Sequence, residues 1–102
     1  MSKTIAGREI DLNEEGYLTD FSQWTEEVGQ AIAEEEGIAL TDRHWEVIRY
    51  LQEAHQKQEA LSIRGLGKRG PVPIKEFYAL FPEGPLKKAS RIAGIPKPAS
   101  CI

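Results

Sequence analysis

Between Thr41 and Gln58 the chain reads TDRHWEVIRYLQEAHQKQ. Val47, Ile48, Leu51 and Ala54 fall on one stripe of a helix with 3.6 residues per turn, and Trp45 sits beside it. Glu46, Arg49 and Glu53 take the opposite, solvated face, and Thr41 is a good N-cap. A long helix that is apolar along one side predicts a mostly helical domain in which other elements cover that side.

The flanking segments fit this plan. TIAGREIDL, followed by NEEG and YLTD, alternates apolar and polar residues around Gly7 and again around Gly16, which predicts a small N-terminal hairpin. Trp24, Val28, Ala31 and Ile32 recur at helical spacing until Gly37, predicting a helix capped by Asp20 or Ser22. The three glycines and two prolines of SIRGLGKRGPVP allow at most a short helix and then a basic turn. Ile74, Phe77, Tyr78 and Phe81 define another helix, stopped by Pro82 and Gly84. Pro85 opens a last helix bearing Leu86, Ala89 and Ile92, which Gly94 closes. The expected fold class is α+β, mostly α: a helical bundle with a small N-terminal β-hairpin and a flexible C-terminal arm over residues 95–102, in one domain spanning 1–102.

Composition narrows the function classes. The chain has 102 residues, 40% hydrophobic and 28% charged, an ordinary globular balance with room for one modest core. No apolar run approaches the roughly 18 residues that cross a bilayer, and MSKTIAGREI lacks a signal-peptide core, so a cytoplasmic protein with no membrane partner is expected. One cysteine cannot form an internal disulfide and gives a metal at most one ligand, which removes disulfide scaffolds and zinc ribbons. His44 and His55 have no matching carboxylate or cysteine pattern, so they are read as core or solvated helix residues and no metal is expected.

The formal net charge of −3 conceals an asymmetry. Met1 to Leu61 hold 5 Lys+Arg against 14 Asp+Glu, whereas Ser62 onward hold 8 against 2. The basic set is Arg64, Lys68, Arg69, Lys75, Lys87, Lys88, Arg91 and Lys97. Two outcomes are open: the halves attract each other within the fold, or the second half presents a basic face to an anionic partner.

The single cysteine is Cys101, in GIPKPASCI. Pro96 and Pro98 bias this segment towards extended backbone, and it has little apolar mass to anchor it, which reads as an arm. Eight extended residues reach roughly 25 Å, enough to place a thiol in another protein's cleft. The reactive form is the thiolate, favoured by nearby positive charge and by exposure. Lys97 lies four positions before Cys101, and Lys87, Lys88 and Arg91 lie on the helix that carries the arm, whereas the terminal carboxylate of Ile102 acts in the opposite sense. These four cations, Lys97 and Arg91 foremost, are candidates for thiolate support or partner docking. A sulfur carrier needs one thiol only, which takes sulfur from a donor persulfide, holds it and yields it to an acceptor. The bland alternative is an accidental cysteine on a frayed tail, against which stand the framing prolines and the basic helix.

The arm IAGIPKPASCI, the preceding LFPEGPLKKASR, the GYL turn followed by SQW, and HWEVIRYL after EEEGIALT together resemble the TusE/DsrC family of sulfur-relay proteins, in the same order over most of the chain. The resemblance implies a hairpin and helical bundle whose mobile C-terminal arm presents a penultimate cysteine. Cys101 matches that cysteine, and Gly94, Pro96, Lys97 and Pro98 match the arm motif. Full-length DsrC proteins carry a second cysteine eleven residues upstream, able to pair with the first; here that position is Ser90. A lone cysteine fits the TusE branch, which implies a TusBCD-like (DsrEFH-like) sulfur donor complex and an MnmA-like tRNA thiolase as acceptor. Indirect contact with tRNA is compatible with the basic half. No cofactor is expected beyond a transient persulfide on Cys101.

Two other functions compete. One is a single-cysteine DsrC-like paralogue serving sulfur oxidation or regulation. The other is a helix-turn-helix nucleic-acid binder, compatible with short helices and a positive second half. Against the latter, Arg64, Lys68 and Arg69 sit in a glycine-rich segment, not on a clear recognition helix, and the overall acidity opposes DNA binding. Trp24, Trp45, Phe77, Tyr78 and Phe81 read as core, Glu34, Glu35 and Glu36 as a solvated helix end, and GLGKRG lacks the spacing of a phosphate loop.

Overall fold

The computed structural model describes residues 2–59 and 63–96. Its first element is the hairpin of β1 (Ser2–Ile5) and β2 (Arg8–Asp11), paired antiparallel with Ile5 opposite Arg8 and Ser2 opposite Asp11. The two residues between them, Ala6 and Gly7, both have positive φ, 53° and 76°, as a tight turn matched to strand twist requires. Ile5 and Ile10 are buried on one face of the hairpin, and an isolated bridge from Leu12 to Leu18 extends the pairing around the turn at Gly16. Asn13 holds that turn, its side-chain Oδ1 accepting the backbone N–H groups of Glu15 (2.9 Å) and Tyr17 (3.0 Å).

Five helices follow. They are α1 (Glu26–Glu35), α2 (Asp42–Gln56), α3 (Ile63–Arg69), α4 (Ile74–Leu80) and α5 (Pro85–Ala93). The expected cap of α1 is corrected: Asp20 caps a single 3-10 turn, Phe21–Gln23, and the helix starts five residues later under Thr25. Thr25 Oγ1 accepts the N–H of Val28 at 3.2 Å. Trp24 therefore lies on extended backbone outside the helix, with φ −75° and ψ 136°, stacked on Phe21 at a centroid distance of 6.1 Å. The long helix α2 ends two residues before Gln58, which takes a left-handed φ of 59° while the Glu59 N–H turns back to the Ala54 carbonyl.

His44 belongs to the core side of α2 and is buried. Its Nε2 lies 2.9 Å from the Leu80 carbonyl oxygen, which can only accept, so that nitrogen carries the proton. Its Nδ1 then accepts the backbone N–H of Thr41 at 3.1 Å, closing the start of α2 onto the end of α4. The imidazole edge meets Phe81 at 5.0 Å, and Phe81 in turn meets Phe77 at 5.7 Å.

The short α3 packs against α4, and α5 packs against α1, α2 and α4. The core lies around α5, where Leu86, Ala89, Ile92 and Ala93 are buried against Val28, Ile32 and Leu51 of the neighbouring helices. Tyr78 departs from its expected place. It is 47% exposed, as Ile74 is 40% exposed, because the seven-residue α4 turns Phe77 inward and leaves the flank carrying Ile74 and Tyr78 to solvent. Among the described residues no helix is long and apolar enough to cross a membrane, and no cluster of three or more His, Cys, Asp or Glu side chains could hold a metal.

Candidate functional site

A helix leaves its last four carbonyls without intrahelical donors. At the C-terminus of α5, where the arm begins, all four are satisfied. Gly94 N–H donates to the Arg91 carbonyl and Ile95 N–H to the Ser90 carbonyl, each at 3.2 Å. The remaining two are reached by side chains from elsewhere in the fold. Trp24 Nε1–H donates to the Ile92 carbonyl at 2.7 Å, and Gln52 Nε2–H of α2 donates to the Ala93 carbonyl at 2.8 Å.

Two glycines make this closure possible. Gly94 adopts a left-handed φ of 77°, and a Cβ there would meet Cδ1, Cγ and Cβ of Trp24, the last two at 2.8 and 3.0 Å. Gly29 in α1 lies under the same indole, where a Cβ would come within 3.1 Å of Trp24 Cζ2 and 3.3 Å of the Ile92 carbonyl oxygen. Of the residues expected in an arm over 95–102, Ile95 belongs to the core instead: it is fully buried and anchored by its bond to Ser90, while Pro96 is exposed. Lys97, Pro98 and Cys101 lie outside the described residues.

The cations assigned to the arm fall into two groups. Arg91 is largely buried, its side chain 16% exposed. Its Nε–H donates to the Gly16 carbonyl at 3.0 Å, Nη1 binds Glu36 at 2.5 Å, and Nη2 lies 3.6 Å from Glu35. Lys3 also binds Glu35, at 2.7 Å, and holds that carboxyl below the usual carboxylate range, with Arg91 adding to the effect. Arg91 thus fastens α5 to the turn at Gly16 and to the end of α1, and its charge is matched within the fold. Lys87 is exposed and Lys88 half-buried, and neither makes an ion pair among the described residues.

Among the described residues the charge asymmetry is neutralised within the fold only in part. Only Arg91 and Glu76 join the halves, the latter through Arg43 of α2, whose guanidinium grips both Glu76 oxygens at 2.7 Å. Arg64, Lys68, Arg69, Lys75, Lys87 and Lys88 have no ion-pair partner among the described residues, and all but the half-buried Lys88 are exposed.

Ser90 is fully buried, and its hydroxyl has no hydrogen-bond partner among the described residues. Sequence reasoning missed Gln52, a polar residue on a solvated pattern, and Gly29, whose place in mid-helix was the available signal of a close approach.

The family model described as DsrC like protein matches residues 4–102. The chain belongs to the DsrC-like family. The protein named Sulfurtransferase TusE of Escherichia coli is 43% identical over 104 residues, covering 94% of this chain and 95% of that protein. That of Yersinia pseudotuberculosis is 41% identical, covering 94% and 96%. Among solved structures, DsrC of Allochromatium vinosum superposes with a TM-score of 0.83 at 36% identity over the whole of both chains. The oxidized gamma-subunit of the dissimilatory sulfite reductase (DsrC) from Archaeoglobus fulgidus gives 0.79 at 34% identity, again over both whole chains. The family's fold is thus this chain's fold, hairpin and helical bundle included.

Proposed function

We propose that this protein is a sulfur carrier that accepts a persulfide on Cys101 and passes it on, in a cytoplasmic relay leading to 2-thiolation of the wobble uridine of tRNA. The observation that carries this reading is kinship of about 42% identity, over nearly the whole chain, with proteins named sulfurtransferase. It is joined to a chain whose single thiol follows a helix end closed by four donors.

The chemistry needs no resident cofactor. Cys101 as thiolate attacks the outer sulfur of a donor persulfide; a new S–S bond forms on Cys101, the donor's S–S bond breaks, and its inner sulfur leaves as a thiolate. The acceptor's thiol repeats the exchange on the Cys101 persulfide, so sulfur moves along the relay with no net gain or loss of electrons. A TusBCD-like complex is the proposed donor and an MnmA-like thiolase the proposed acceptor. Serine at position 90 supports a relay through one thiol over a cycle that closes an internal disulfide.

The test is intact-mass measurement of the wild type and of Cys101→Ser after incubation with a cysteine desulfurase and cysteine, with the donor complex present. A reductant-labile gain of one sulfur on the wild type alone is the expected result. Absence of that gain in the complete mixture would remove the chemical basis of the carrier role.

A further inference from the structure

We infer that the solvent face shared by α3 and α4 docks a protein partner that presents acidic side chains around an apolar socket, a reading that rests on the carrier role because the partner is one that exchanges sulfur with Cys101. Ile74 and Tyr78 stand one turn apart on α4 and are, among the described residues, the large hydrophobic ones left exposed, at 40% and 47%. Gly67 of α3 lies directly against Ile74, where a Cβ would overlap Cγ1 and Cδ1, so the two helices form one continuous surface at this point.

The same two helices expose cations. Arg64 and Lys68 are exposed i, i+4 neighbours on α3 and Lys75 is exposed next to Ile74 on α4, whereas Arg69 faces α2, lining a surface pocket with Glu46 and Glu53. None of the four has an ion-pair partner among the described residues. The carboxylate within the two helices, Glu76, is gripped by Arg43 of α2 and does not neutralise the face.

An exposed isoleucine and tyrosine on helices that also expose arginine and lysine have the composition of a protein-binding hot spot with charged neighbours. A phosphate backbone would use the cations but gain nothing from the exposed Ile74. The occupant assigned is therefore an acidic protein surface and not RNA. The face shares no residue with the donors that close the end of α5, Trp24 and Gln52.

Binding is read separately from sulfur chemistry. Cys101→Ser, carrying either Ile74→Ser with Tyr78→Ser or Lys68→Glu with Lys75→Glu, is titrated by calorimetry against the TusBCD-like donor complex and against the MnmA-like thiolase, with circular dichroism confirming the fold. The expected result is a loss of about tenfold or more in affinity for at least one of the two in both surface variants. A second expected result is weaker binding of the parent between roughly 50 and 200 mM salt, a dependence the charge-reversed variant loses. Affinities within twofold of the parent, or no binding of the parent to either protein, would overturn the inference. So would binding of the parent to unmodified tRNA, abolished by the charge reversal while both protein affinities stay unchanged. Uptake of sulfur from inorganic polysulfide by the Cys101-bearing chain is measured alongside: its persistence when docking fails leaves the carrier role standing, and its absence when docking holds removes that role alone.

Discussion

Trp24 and Gly94 are fitted to each other: the indole fills the space a Cβ on residue 94 would need, and the same ring donates its N–H to the carbonyl of Ile92. The pair joins residues 68 positions apart for the hydrogen bond alone, across the point where the arm leaves α5.

Gly94→Ala is expected to cost about 2–4 kcal/mol, the sum of a left-handed backbone carrying a Cβ and an overlap with the indole. In a Trp24→Ala background the overlap is gone and only about 1 kcal/mol of backbone strain remains. Urea unfolding of the four members of this double-mutant cycle measures the coupling. Equal costs in both backgrounds would show that the indole does not determine residue 94.

His44→Ala breaks the bond to the Leu80 carbonyl, orphans the Thr41 N–H and removes an edge contact with Phe81. A loss of about 2–3 kcal/mol is expected. Thr41→Ala keeps the backbone bond to His44 and should cost only about 1 kcal/mol. Thermal unfolding of both variants ranks them, and the reverse order would contradict the bridging role given to the imidazole.

Ser90→Ala should stabilise the protein by about 1 kcal/mol, because a buried hydroxyl without a partner loses its hydration on folding and recovers nothing. Sulfur loading on Cys101 should be unchanged in the same variant. A loss of stability in chemical denaturation would mean that the hydroxyl is bonded.

Stability should fall in acid. Glu76 is held below its ordinary value near 4.5 by hydrogen bonds from Arg43, and Glu35 by its bond to Lys3. Folded values lower than unfolded ones mean that the unfolded chain binds more protons below pH about 4.5, so this stability is present above that pH and is lost as pH falls through the lowered values. The urea midpoint should therefore drop below pH about 4.5, and Arg43→Ala, which frees Glu76, should flatten the drop. An unchanged slope in Arg43→Ala would assign the acid sensitivity elsewhere.

The helices with a sustained apolar stripe were legible because the stripe itself is the packing surface: Val47, Ile48 and Leu51 are fully buried as their spacing predicts. Boundaries were harder. Asp20, Ser22 and Thr25 are all competent caps within six residues, and the local pattern does not say that Asp20 caps a separate 3-10 turn before Thr25 caps α1. Tyr78 shares helical spacing with Ile74, but a seven-residue helix cannot bury both flanks, and periodicity does not say which is left out. Gln52 and Arg91 read as surface residues because their partners, Ala93, Gly16, Glu35 and Glu36, are brought close by tertiary folding alone. Cys101 was marked by its sequence setting, and the residues that shape its point of departure were not.

The closed end of α5 has an electrical consequence. The C-terminus of a helix behaves as roughly half a unit of negative charge. Here two backbone and two side-chain N–H dipoles lie against its last four carbonyls and offset that charge. Replacing Trp24 with phenylalanine or Gln52 with leucine would thus leave the fold's apolar contacts largely in place while restoring a negative potential at the end of α5.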